Sequence, residues 1–189
     1  MPPKVKVTKK ALIDAAISLM RDEGFDALGV RALALRAGCS TQPIFSNFES
    51  LEELKREVCV EANRIYEEYT KREMASGKYP IYKASGMAYI SFAKEEPRLF
   101  SALFMRDGGA EDDAKKKFLD DTIFPIIMKN LEISEDAAKF LHLEMWTFVH
   151  GVAVMVATSY MPLSEELISQ MLTDIYQAAA KYHKEKTER

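Results

Sequence analysis

Between residues 28 and 48 two short apolar patterns meet at a glycine, and few folds accommodate that arrangement. Val30, Leu33, Ala34 and Ala37 fall on one side of a helical projection. The pattern stops at Gly38, the residue type best suited to left-handed backbone after a helix. Cys39 is small enough for a tight corner, and Ser40 is placed to cap a second helix by accepting backbone N–H groups. Pro43 then falls in the first turn of that helix, where its missing N–H costs nothing. Two short helices joined by such a turn predict a helix-turn-helix, whose second helix commonly enters the DNA major groove.

The second helix has two distinct faces. At about 100° per residue Ile44 and Phe48 point to a core, while Gln42, Pro43 and Ser46 point away. Phe45 and Asn47 occupy the flanks. An ordinary surface helix presents Lys, Glu or Arg; this one presents short polar groups able to approach base edges. Gln can pair bidentately with adenine, and Ser or Thr can bond to several bases.

Flanking segments complete a module. Thr8 is placed to cap a helix over about 9–23 with an apolar stripe of Leu12, Ile13, Ala16, Ile17 and Met20, closed by Gly24. Ser50-Leu51-Glu52-Glu53 reads as a capping box that opens a long fourth helix. The formal charge of −3 is uneven: residues 1–48 hold seven Lys/Arg against four Asp/Glu, so this part is +3 and the rest −6. A basic module on an acidic body keeps a local positive field. Lys4, Lys6, Lys9 and Lys10 read either as an arm tracking phosphates or as a solubilising terminus.

The string Leu12-Ile13-Asp14-Ala15-Ala16, Gly24-Phe25, Arg31-Ala32-Leu33-Ala34, Ala37-Gly38-Cys39-Ser40, Ile44-Phe45-Ser46-Asn47-Phe48 and Glu52-Glu53-Leu54 resembles the TetR family of bacterial transcriptional regulators. Order and spacing agree over residues 8–56. The resemblance implies an all-α homodimer that binds double-stranded DNA at a palindromic operator. It further implies release of that operator when a small molecule enters the C-terminal domain. Residues 1–50 would form the helix-turn-helix domain. Residues 51–189 would form the ligand-binding and dimerisation domain, linked by helix four.

Carried onto this chain, the DNA contacts are Arg31, Ser40, Thr41, Gln42, Pro43, Phe45, Ser46 and Asn47. Gln42 and Ser46 are the base readers, and Arg31 and Ser40 face phosphates. Three positions depart from the family pattern. Gly29 stands where Ser or Thr is usual, Phe45 where Tyr is common, and Leu51 where many members have Lys. Each removes a plausible backbone contact. They motivate an alternative reading, a small-molecule-binding or interaction protein of the same fold with little DNA affinity.

Beyond residue 56 the chain reads as helical. Breaks fall at Gly77 and Pro80, at Pro97, at Gly108-Gly109 and at Pro162, and a helix over about 111–130 is expected to bend at Pro125. The last two helices, Ser134 to about Tyr160 and Leu163 to about His183, carry more apolar surface than a small domain covers. The resemblance implies that they meet their copies in a second subunit; burial within one chain is the alternative. Met87, Phe92, Phe100, Phe104, Trp146 and His150 are the candidate lining of a pocket for an apolar or aromatic effector. Trp146-x-x-x-His150-Gly151 also looks like a Trp-His-Gly signature of one branch of the family.

Catalysis finds no foothold. His142, His150 and His183 lack metal-ligand spacing, and there is neither a glycine-rich phosphate loop nor a nucleophile elbow. No apolar run approaches the ~20 residues of a membrane span. The N-terminus lacks the apolar core of a secretion signal. Cys39 and Cys59 read as reduced structural thiols, and the expected location is cytoplasmic.

Overall fold

Thr8 accepts the Ala11 N–H at 3.2 Å and opens α1 (Lys9–Glu23). The computed structural model describes residues 7–106, 117 and 119–187. Gly24, at φ 88°, closes α1 by donating its N–H to Met20, and Phe25 is buried at the start of a 3₁₀ turn (Phe25–Ala27). Next come α2 (Val30–Arg36) and α3 (Gln42–Asn47). The turn between them is built as the glycine predicts. Gly38 sits at φ 64°, its N–H bonds Leu35, and the Cys39 N–H bonds Ala34 at 3.0 Å. These nested bonds satisfy carbonyls that the helix end leaves open.

Ser40 does not cap α3. The cap position belongs to Thr41, whose backbone is already helical (φ −71°, ψ −18°) and whose side chain makes no capping bond. The Ile44 and Phe45 N–H groups both reach the Thr41 carbonyl, and Pro43 brings no donor of its own. The capping box at the next helix forms with its return bond shifted by one residue, onto Glu49 rather than Ser50. The Glu53 N–H bonds Ser50 Oγ at 3.0 Å, while the Glu53 carboxylate accepts from the Glu49 N–H. From there α4 runs without interruption over Leu51–Ala75.

The chain divides into two compact units, Met1–Glu68 with Glu96–Asp107, and Tyr69–Glu95 with Gly108–Arg189. In the first, α1 packs against α2, α3 and a short helix α6 (Pro97–Phe104). Leu12, Met20, Leu33, Leu54, Leu99 and Phe100 are buried there. Arg21 grips the Glu96 carboxylate with two nitrogens, at 2.9 and 2.6 Å, and so pins the start of α6 onto α1. Arg36 ties α2 to α1 through Ser18, Asp22 and Glu23.

In the second unit, α5 (Ile81–Glu95) lies against α8 (Glu135–Ala157) and α9 (Glu165–Thr187). The approach is close at Gly86, where a Cβ would stand 3.2 Å from Leu172 and 3.4 Å from Val149. Tyr82 Oη is 3.2 Å from His142 Nδ1, and Tyr89 Oη is 2.9 Å from His150 Nδ1. Both pairs ascend in number, so α5 and α8 run in the same direction. The α8–α9 connection makes an antiparallel hairpin, joined by His183 Nε2 and Glu144 Oε2 at 2.9 Å.

A second apolar cluster gathers Ile123, Ile127, Leu131, Leu141 and Met145 around α7 (Phe124–Leu131). The expected bend at Pro125 takes the form of a π turn, Leu119–Ile123, that passes straight into α7 with the proline in its first turn. The wider turn and the missing proline N–H suit one another. Gly108-Gly109 and the start of the expected 111–130 helix lie outside the described residues.

One helix corrects the sequence reading. By length and composition α8 is long and apolar enough to cross a membrane, with a mean hydropathy of 1.4 over its best 18-residue window. Scanning for unbroken apolar runs misses it because Glu144, Thr147 and His150 interrupt the pattern. One side of α8 packs into protein through Ala138, Leu141, Met145, Val149 and Val152, so lipid could not surround it.

Candidate nucleic-acid interface

The surface at issue is the outer side of α2, the turn, and α3. Ile44 and Phe48 are 2 % and 3 % exposed and anchor α3 on the core. Ser40, Thr41, Gln42, Phe45 and Ser46 are all exposed; Pro43 and Asn47 are half-buried. On α2, Arg31 is exposed and makes no ion pair among the described residues. Of the eight residues named from the sequence, six are exposed and two half-buried, seven of them on α3 and the turn before it and one on α2.

Two polar side chains there are already engaged. Ser46 Oγ donates to the Gln42 carbonyl at 2.9 Å, and Asn47 Nδ2 donates to the Pro43 carbonyl at 2.7 Å. This back-bonding is usual for Ser in a helix, and it leaves the Ser46 hydroxyl only its acceptor lone pairs. Among the described residues the Gln42 side chain makes no such bond and keeps its amide donor and acceptor for a partner. Phe45 is 63 % exposed.

Other cations near this surface are structural. Lys9 lies in α1, paired with Glu57 and Glu53 and set over the Phe48 ring at 5.1 Å. The hydrogen bond that Lys9 donates to the Glu57 carboxylate lifts its ammonium above the ordinary range. Lys10 bonds Asp14 at 3.1 Å on the same helix. These two lysines do not belong to an extended arm; Lys4 and Lys6 lie outside the described residues. The Asp22 hydrogen bond likewise holds Arg36 charged, so its guanidinium serves the α1–α2 clamp.

The six pocket candidates are distributed over both units. Phe100 and Phe104 belong to the first unit, where their ring centroids are 5.4 Å apart and Phe104 meets Tyr66 edge-on. Met87, Phe92, Trp146 and His150 belong to the second. Met87 and Phe92 are buried on α5, and Phe92 meets Tyr69 edge-on at 5.4 Å. Trp146 stacks on His150 at 5.2 Å with planes 17° apart, and is 37 % exposed. None of the six lines either of two surface clefts, of about 320 and 380 Å³. Sequence reasoning missed Tyr82 and Tyr89 as histidine partners. Their seven-residue spacing, set against eight between His142 and His150, is the signal that was available.

An anchored two-helix corner with an exposed short-polar face defines a helix-turn-helix DNA-binding protein. Residues 12–58 match the description "Bacterial regulatory proteins, tetR family". The uncharacterized HTH-type transcriptional regulator Rv0681 of Mycobacterium tuberculosis is 23 % identical over 159 residues, 82 % of this chain and 73 % of the relative. The uncharacterized HTH-type transcriptional regulator YobS of Bacillus subtilis is 21 % identical over 180 residues, 90 % of each.

Among solved structures, a TetR-like transcriptional regulator from Rhodococcus sp. RHA1 superposes with TM-score 0.66 at 16 % identity, covering 94 % of this chain and 96 % of that one. A Pseudomonas aeruginosa PAO1 protein assigned as a transcriptional regulator gives TM-score 0.72 at 13 % identity, covering 98 % and 96 %. Residues 12–58 thus carry the DNA-binding region of the TetR family, and the whole chain has the fold of TetR-like transcriptional regulators.

Proposed function

We propose that this regulator is a repressor that binds a palindromic operator as a homodimer and is released by a small apolar or aromatic molecule. The reading rests chiefly on the exposed Thr41-Gln42 corner of α3, held in place by buried Ile44 and Phe48. Groups of this length can sit close enough to base edges to read them. A six-residue helix reads only a few base pairs, so sequence-specific binding calls for two copies, spaced about one helical turn or a small multiple apart.

The outer side of the α8–α9 hairpin supports pairing. Phe140 and Leu143 are each 52 % exposed, and on α9 Leu167 and Tyr182 are also open. Thr147 is exposed beside them, and its hydroxyl is engaged within the helix, donating to Leu143 O. A second copy of the same face is the occupant this surface fits best. For the effector, the Trp146–His150 stack with Tyr89 behind it combines an aromatic plate with a polar handle. A cytoplasmic location follows from the proposed role.

The direct test is fluorescence anisotropy with duplexes from the region around the protein's own gene, against random duplex of equal length. Binding to one of these duplexes is expected to be at least 10³-fold tighter than to random DNA, and to weaken steeply as salt rises. Equal affinity for every duplex would leave the alternative, a fold-mate without useful DNA affinity. Thermal-shift screening of aromatic metabolites addresses the effector.

A further inference from the structure

Phe45 is an apolar ring on a face that otherwise carries short polar groups. Its position on α3 lies about 60° around the helix from Gln42, and 63 % of its surface is open. Among the described residues it stacks on no other ring and lies beneath no cation, unlike Phe25, Phe48 and Phe124. A phenyl group has no donor and no acceptor, so it can neither grip a phosphate nor bond a base edge. The major groove offers one apolar feature, the C5-methyl group of thymine. A ring with only two side-chain torsions also loses little freedom when it is covered.

We propose that Phe45 is a specificity-determining residue that packs on a thymine methyl group next to the base pair contacted by Gln42. The inference rests on the DNA-binding reading above and adds a preference at one position of each half-site. Contact with a deoxyribose would bury the same ring but carry no sequence information.

The experiment starts from operators selected by the full-length protein out of a random duplex library. Each thymine of the selected half-site is then replaced singly and symmetrically by uracil, which removes the methyl group and nothing else. One position is expected to weaken binding about fourfold per half-site, the worth of one buried methyl group. Phe45→Ala should bind the thymine operator more weakly and no longer distinguish uracil from thymine there. Circular dichroism checks that the variant remains folded.

Placing 5-methylcytosine at that position should bind the parent protein better than cytosine does. Indifference to uracil at every position, or unchanged discrimination by Phe45→Ala, overturns the proposal while leaving the operator reading intact. A selection that enriches no sequence from folded protein removes both.

Discussion

At the scale of single residues, the reading face is decided by which side chains still have hydrogen bonds to give. Gln42 and Ser46 look equivalent in a helical projection, since both point straight out. The backbone separates them, because Ser46 spends its proton on the Gln42 carbonyl and Gln42 spends nothing. Gln42→Ala is therefore expected to cost about 1–3 kcal/mol on the cognate operator and little on random duplex. Ser46→Ala should cost less than about 1 kcal/mol on either. Anisotropy titrations of both variants on both duplexes make the comparison. Equal losses for Gln42→Ala on cognate and random DNA would mean that it positions the backbone only. Sequence alone could not rank the pair, because periodicity gives direction but not the partner of a hydroxyl.

At the scale of elements, starts and stops were legible wherever a side chain or a glycine acts on its own neighbours. Thr8, Gly24, Gly38, Ser50 and Ser134 each do locally what their chemistry dictates. What the chain could not announce was which helix packs on which. The apolar stripe of α6 would fit either unit, and the Arg21–Glu96 pair that settles it joins residues 75 apart. The same holds for Tyr82 and His142. Burial, reinforced by the neighbouring Tyr176, pushes the Tyr82 hydroxyl well above the ordinary tyrosine range. The folded state thus favours the neutral phenol. Its contribution to stability is whole below about pH 10, the unfolded value, and is lost as pH rises toward the folded one. Tyr82→Phe should lower stability near neutrality by about 0.5–1.5 kcal/mol through the lost His142 bond. Above pH 10 the variant should then lose stability less steeply than the parent. Urea unfolding at pH 8, 9, 10 and 11 tests this, and parallel curves for the two proteins would refute it.

For the whole molecule, the hairpin of α8 and α9 matters most, because its two sides are apolar for different reasons. Ala138, Leu141, Met145 and Val149 are buried within the second unit. Phe140, Leu143 and Trp146 on the same helix stay open, as do Leu167, Ile175 and Tyr182 on the next. A helix apolar on both sides reads equally as a core helix, a membrane span or an interface, so composition cannot choose among them. One side is covered by protein and the other leaves apolar surface open. The proposed pairing of two copies through that open side predicts a specific failure. Leu143→Glu places two like charges near each other across the two-fold axis and desolvates both, without touching the buried side. The variant is expected to keep its helical circular dichroism and to sediment as a monomer at micromolar concentration. Its operator affinity should fall by about 10²–10⁴-fold, because the second half-site is no longer delivered at high effective concentration. Affinity for random duplex at low salt should change far less, since phosphate contacts belong to each copy separately. A Leu143→Glu protein that stays dimeric and holds its operator would place the pairing surface elsewhere on the molecule.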